Sequence, residues 1–278
     1  MGLNSSQHTV AKEITFTGIG LHLGKRVKAR ILPALPNHGI QFKRIDLNPS
    51  VTIPAKLSYV VSTARGTHLG RGKALVYTVE HLLAAFYGME IDNALVELDG
   101  PEIPVGDGSA AGWSRLIKKT GIHDQQTKKR IIRLLRPVQV NLNGSQLLAL
   151  PSKNLRLSTV IEFKHPFLTR QMTSMELSQR TFIKVLAPAR TFCFEEEIKG
   201  LLKQGLAKGG SLKNALVIGK RGLLAGKLRF KDEFARHKIL DLLGDLALLG
   251  YALRAHVIAI RAGHASHLEL VKKILAAT

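Results

Sequence analysis

The stretch Phe230–Tyr251, FKDEFARHKILDLLGDLALLGY, constrains the fold of this chain more than any other. Leucines, isoleucine and alanines occupy almost every side of the helix it implies, the pattern of a helix buried all round rather than one lying on a surface. Yet His237, Asp241 and Asp245 recur at four-residue steps, so all three project from one narrow stripe of that apolar cylinder. Carboxylates are too costly to bury unpaired. A buried imidazole with a carboxylate one turn later is either an ordinary helix pair satisfied by hydrogen bonds or half of a divalent-metal site, and the helix alone leaves both open.

A chain of 278 residues with 45% hydrophobic content can bury a substantial core and is long enough for two domains. No apolar run approaches the roughly 20 residues needed to span a bilayer, and the N-terminus lacks the apolar core of a secretory signal, so a cytoplasmic protein is expected. The single cysteine, Cys193, excludes an intramolecular disulfide and fits a reducing compartment. Between Phe192 and Phe194 it reads as a packed residue rather than a nucleophile. The opening MGLNSS matches the N-myristoylation pattern at Gly2, a pattern short enough to arise often by chance.

Charge is the oddest bulk property: 41 Lys and Arg against 20 Asp and Glu leave +21. Such an excess favours polyanions, whether nucleic acid, anionic membrane or a phosphorylated substrate. The basic residues are spread along the whole chain, aromatic content is only 5%, and no familiar DNA-binding motif appears, which argues against specific nucleic-acid binding.

Residues 8–45 alternate apolar and polar, broken by the glycines of GIGLHLG and by Pro33 and Pro36, the texture of strands joined by turns. His22 sits between glycines, where backbone can approach another element closely, and reads as a hydrogen-bonded structural histidine. After a glycine-rich basic loop, ARGTHLGRGKA, comes TVEHLLAAFYGM, a predicted helix with Thr78 as N-cap and Glu80 in the first turn, where the helix dipole favours a carboxylate. Glu80 and His81 are adjacent and cannot stack on the helix, but near its start both can reach a common point; a first-turn Glu beside a surface His is the plainer alternative. A strand (IDNALVEL), a turn-rich connection (GPEIPVGDGSA, not a Walker motif) and a short helix (SAAGWSRLIKK) follow.

The polar run 123–130, HDQQTKKR, reads as the linker between two domains of similar size, 1–125 and 126–278. The second half starts with strands again, passes an amphipathic segment near Met175–Val185, and ends in the central helix, a strand, a turn carrying His264 and a closing helix. Both halves run strands first and helices afterwards, suggesting two related α+β units without a clear sequence repeat.

Several separated segments match one family together: GIGLHLG, TVEHLLAA, DNALVELDGPEIPVGDGSAA, ARTF, GGSLKNALVI, FARHKILDLLGDL and AGHASH. In order and over essentially the whole chain, they resemble the zinc-dependent UDP-3-O-acyl-N-acetylglucosamine deacetylases of lipid A (lipopolysaccharide) biosynthesis. The resemblance implies an α+β fold of two similar domains, each a β-sheet with a helix layer, the helices packed between the two sheets and the active site at the domain interface. It implies Zn2+ held by His81, His237 and Asp241, with an open position of the kind catalytic zinc sites keep. Glu80 would be the general base, His264 the acid and oxyanion stabiliser, Asp245 its partner, and Thr191 a hydroxyl to the oxyanion.

For the UDP-3-O-acyl-GlcNAc substrate the resemblance implies Lys238 near sugar and diphosphate, Phe163 stacked on uracil, and an apolar acyl passage walled by Phe192, Gly210, Ser211 and Val217. Ordinary core packing is the alternative at each wall position. The chain departs from the family at His267, where asparagine is common, and near Gln146, where a lysine is often found. The positive charge far exceeds what one nucleotide sugar requires, and part of it is expected to favour peripheral contact with anionic membrane; a monomer is expected. A basic polyanion-binding protein on a disused scaffold is the rival reading, and the intact set of costly polar residues argues against it.

Overall fold

The computed structural model describes residues 6–278; Gly2 of the myristoylation pattern lies outside them. Strands form where apolar and polar residues alternate, as in Arg26–Pro33, whose Val27, Ala29 and Ile31 turn inward. The first half builds a five-stranded sheet in the order Ile14–Ile19, Arg26–Pro33, Ala94–Leu98, Ile40–Arg44, Val51–Pro54. The second half builds Val138–Leu142, Ser145–Pro151, Ala252–Ile260, Arg156–Glu162, Arg170–Glu176, with Ile131–Arg133 joining the start of the long middle strand. In both five-strand runs the third and fourth strands run parallel and the other neighbouring pairs antiparallel, while the added Ile131–Arg133 lies parallel to the middle strand. The two halves thus repeat one topology although their sequences do not repeat.

The helices are α1 (Glu80–Gly88), α2 (Ala111–Thr120), the single turn α3 (Gln179–Thr181), α4 (Glu195–Lys203), α5 (Glu233–Leu246) and α6 (His264–Ala276). α2 packs on the first sheet and on α1, while α5 and α6 pack on the second sheet, and α1 and α5 press against each other between the layers. Twelve of the fourteen residues of α5 and eight of the nine in α1 are buried, as the all-round apolar pattern requires. Inward residues of both sheets and all the larger helices except α4 share one continuous apolar core. A smaller cluster, with Ile161, Phe194, Leu216, Ile218 and Phe234, lies beneath the insert that carries α4.

Four local expectations meet a different outcome. Residues 123–130 are not free chain: Ile122–Lys128 pairs antiparallel with Ser6–Val10, and Lys129 is buried against Asp92 at 3.0 Å. Thr78 does not cap α1. It adopts a left-handed φ of 59°, its amide donates to His68 Nδ1 and its hydroxyl donates to Glu102 Oε1, so its side chain is already committed. The basic loop contains a hairpin, His68–Arg71 with Ala74–Val76, closed by Gly72 at positive φ. Met175–Val185 is no single amphipathic helix: strand Arg170–Glu176 gives way to α3 and a wide turn of π type over Phe182–Leu186.

Candidate active site

The stripe on α5 meets partners from both halves of the chain. His237 Nδ1–H donates to the Ala189 carbonyl at 3.1 Å, which leaves Nε2 as the free lone pair, 3.3 Å from Asp241 Oδ1. His81, in the first turn of α1, brings its Nε2 to 3.5 Å from the same oxygen, and the two rings stand nearly perpendicular with centroids 4.9 Å apart. Lys238 Nζ donates to the other Asp241 oxygen at 3.0 Å. Burial pushes the His237 pKa down to about 4, so the ring is neutral and able to ligate. Burial opposes charge on Asp241, yet His237 and the Lys238 ammonium beside it hold its carboxyl well below the usual range.

One ligand atom from each of His81, His237 and Asp241 falls in a group within 4.8 Å. Donors about 2.0–2.1 Å from a tetrahedrally coordinated divalent ion lie about 3.3 Å apart, so the separations measured from Asp241 fit such an ion. Two imidazoles and one carboxylate are also the donor set that suits it.

This convergence depends on how closely α1 approaches α5. Gly244 lies between Asp241 and Asp245, and a Cβ built there would sit 2.1 Å from the Glu80 carbonyl oxygen and under 3 Å from two more of its backbone atoms. Only glycine permits that approach.

One turn below Asp241 the chemistry changes. Asp245 is wholly buried and accepts from His264 Nδ1 at 2.7 Å and His267 Nδ1 at 2.8 Å through one oxygen, and from the Thr67 hydroxyl through the other. Burial opposes its charge, but the charge on His264 and the hydrogen bonds from His264 and His267 hold its pKa down to about 2. Burial likewise works against a charged His264, yet Asp245, with Glu80 and Asp241 farther off, raises its pKa to about 9. Burial lowers the pKa of His267, which therefore donates to Asp245 as a neutral ring. Glu80, at the start of α1, accepts the Thr67 N–H at 2.9 Å. Its pKa is raised by burial, against the pull of His264 and His81, which suits a proton acceptor.

Glu80, His81, His237, Lys238, Asp241 and His264 line one cavity of about 360 Å³. Leu21, Arg65, Thr191 and Phe192 border both it and a second cavity of about 310 Å³. That second cavity is walled largely by apolar residues, among them Ile198, Leu201, Leu212 and Val217, with Gly210 and Ser211. The geometry is thus a polar chamber with a candidate metal group and a cationic histidine, opening beside an apolar one.

The family model described as UDP-3-O-acyl N-acetylglycosamine deacetylase matches residues 7–276. The chain belongs to that family. It is 43% identical over 269 residues to the UDP-3-O-acyl-N-acetylglucosamine deacetylase of Thermodesulfovibrio yellowstonii, covering 97% of this chain and 91% of the relative. It is 45% identical over 275 residues to the enzyme of the same name from Trichormus variabilis, covering 97% and 98%, and 43% identical over 271 residues to that of Myxococcus xanthus, covering 97% and 86%. The UDP-3-O-acyl N-acetylglycosamine deacetylases are metalloenzymes, and in this member His81, His237 and Asp241 form a candidate metal group.

Of the residues singled out from sequence, the structure gathers Glu80, His81, His237, Lys238, Asp241 and His264 around the polar cavity, with Asp245 behind His264. Thr191 and Phe192 border both chambers, while Gly210, Ser211 and Val217 border only the apolar one. Phe163 lines neither; it packs edge-on to Phe194 and Phe192, with ring centroids 5.1 and 6.0 Å away. His22 is structural, its Nε2 3.1 Å from the Arg65 carbonyl, and GIGLHLG does admit close backbone: a Cβ on Gly209 would meet the Gly20 carbonyl at 2.1 Å. Sequence reasoning missed Thr67, Gly244 and the Ala189 carbonyl in this family member. Nothing local marks Thr67 or a main-chain carbonyl, whereas Gly244, a helix-weakening residue between two buried carboxylates, carried a readable signal.

Proposed function

We propose that this protein is a zinc-dependent amidase that removes acetate from the 2-amino group of UDP-3-O-acyl-N-acetylglucosamine, a step of lipid A biosynthesis. Family membership over 97% of the chain supports the reaction, and the carrying observation is the one polar chamber lined by His81, His237 and Asp241 together with a cationic His264. Zinc held by those three residues would supply Lewis-acid polarisation of the amide carbonyl and would acidify water. Glu80, its carboxyl made more basic by burial, takes the proton of the attacking water. Thr191, its main chain fixed by hydrogen bonds to Gly108 and Leu216, offers its hydroxyl to the developing oxyanion. His264 keeps its Nδ1–H on Asp245, leaving Nε2–H to steady the oxyanion and then protonate the departing amine.

Substrate contacts belong to the same proposal. Lys238 would meet the sugar and diphosphate, Phe163 the uracil, and Phe192, Gly210, Ser211 and Val217 the acyl chain, supported for the last four by their common apolar cavity. Division into 1–125 and 126–278 is supported by the repeated sheet topology, with strand Ile122–Lys128 running across the boundary. A monomer belongs to the same proposal. Among the described residues no helix is long and apolar enough to cross a membrane. A cytoplasmic location belongs to the proposal because the proposed substrate is a nucleotide sugar. Contact with anionic membrane is supported by exposed Leu202, Leu212 and Leu224 in a lysine-rich insert, within a chain of net charge +21.

Metal analysis of the purified protein coupled to an acetate-release assay on the nucleotide sugar tests the reading. The expected result is about one zinc per chain, activity lost to chelators and regained with zinc. A zinc-loaded, folded protein that binds polyanions in a salt-sensitive way but releases no acetate would overturn the reaction. A folded His237→Ala protein with full zinc and normal turnover would overturn the ligand set.

A further inference from the structure

Glu80 and Asp245 lie on different helices, α1 and α5, contributed by opposite halves of the chain, yet their carboxylates must keep one fixed relation if base and acid are to act on the same amide. One residue touches both. Thr67 sits between the strands Val60–Ser62 and His68–Arg71 and is wholly buried. Its N–H donates to Glu80 Oε2 at 2.9 Å, its hydroxyl donates to Asp245 Oδ1, and its carbonyl accepts the Val79 N–H at 3.1 Å, just ahead of α1. Its hydroxyl oxygen also lies 3.2 Å from His264 Nδ1.

We infer that Thr67 is a positioning residue that locks the proton-accepting and proton-donating arms of the site into one frame. The inference rests on the roles proposed above for Glu80, Asp245 and His264. Both histidine rings use the same Asp245 oxygen, Oδ2, and among the described residues the Thr67 hydroxyl is the side-chain donor to Oδ1. Without it, Oδ1 is a buried anionic oxygen with no donor, and the carboxylate turns to share its two oxygens between the two rings. His264 would then follow its partner away from the amide. The main-chain bond to Glu80 does not depend on the side chain, so the two arms can be uncoupled by changing the hydroxyl alone.

Thr67→Val keeps shape and N–H and deletes the hydroxyl; Thr67→Ser keeps the hydroxyl. The expected result for Thr67→Val is kcat lower by about ten- to a hundredfold, KM within about twofold, and one metal per chain retained, with Thr67→Ser regaining kcat to within about threefold. The low-field NMR resonance of the His264 Nδ1 proton should move in Thr67→Val and return in Thr67→Ser, which a purely structural loss would not produce. Thr67→Val with wild-type kcat, or with kcat, metal content and folding lost together and no recovery in Thr67→Ser, overturns the inference. His264→Ala serves as the control: if it stays active the underlying assignment is wrong, whereas an inactive His264→Ala beside a fully active Thr67→Val sinks the role of Thr67 alone.

Discussion

Asp241 and Asp245 are the same residue type, one helical turn apart, on the same stripe of α5 and equally hidden from water, yet their surroundings set them to different tasks. Asp241 faces two imidazole Nε2 atoms, at 3.3 and 3.5 Å, and is steadied by a lysine. Asp245 faces two imidazole Nδ1–H groups and a threonine hydroxyl. The first arrangement converges lone pairs on a point and suits a cation; the second converges protons on a carboxylate and suits an acid held ready. The difference lies in which ring nitrogen each histidine presents, and that is decided by remote partners such as the Ala189 carbonyl.

The sharpest way to break this contrast is to disable each carboxylate in turn. Asp241→Ala or His237→Ala should lose stoichiometric metal and with it nearly all acetate release, by several orders of magnitude, as read by metal analysis and turnover on the same samples. Asp245→Asn should keep the metal and lose roughly a hundred- to ten-thousandfold in kcat, the range for an acid–base group. Equal metal loss in both variants would erase the distinction.

Acidity gives a second separation. In the proposed reaction His264 acts protonated, and its pKa is raised to about 9, so kcat should hold below that value and fall as pH rises through it. The same raised pKa contributes stability that is full below the ordinary histidine value of 6.5 and lost as pH rises through about 9. In Asp245→Asn the supporting charge is gone and the alkaline limb of the kcat profile should move to lower pH. A limb that stays put would show that another group titrates there.

Sequence alone made α5 legible as a buried helix with a polar stripe, because all-round leucines and a four-residue polar period are local facts. It also made the strands of both halves legible, since alternation is local too. What stayed hidden depends on distant chain segments: that Thr78 spends its hydroxyl on Glu102 instead of capping α1, and that the polar run after His123 finds an edge partner in Ser6–Val10. The candidate metal group shows the same division. His237 and Asp241 announce a half-site by spacing, whereas the third member, His81, is 156 positions earlier and could be joined to them only through family resemblance, since no local period links α1 to α5.

Gly244 is where the two turns of α5 share a single support. Gly244→Ala would drive a methyl into the Glu80 backbone, and α1 must yield, carrying His81 away from His237 and Asp241. Overpacking of this kind costs about 1–3 kcal/mol, to be read by chemical denaturation of the metal-free protein. Metal affinity, read by chelator competition, should weaken by about tenfold, a smaller loss than deleting a ligand because the donors remain. The electronic spectrum of the cobalt-substituted variant should shift, reporting altered ligand geometry. Unchanged affinity and spectrum would mean that α1 slides without moving His81.

The finest probe is His267. It shares Asp245 Oδ2 with His264, but burial keeps it neutral, so it contributes one N–H and no charge. An asparagine amide can supply the same single donor, and His267→Asn should therefore change kcat by less than about threefold while leaving the alkaline limb in place. His267→Leu removes the donor without a substitute, and because a hydrogen bond to a carboxylate is stronger than a neutral one, it should cost more than asparagine does. If His267→Asn instead lowered kcat as far as Asp245→Asn, the second imidazole would have to be carrying charge, and the lower turn of α5 would be a two-histidine acid rather than a one-histidine acid with a neutral brace.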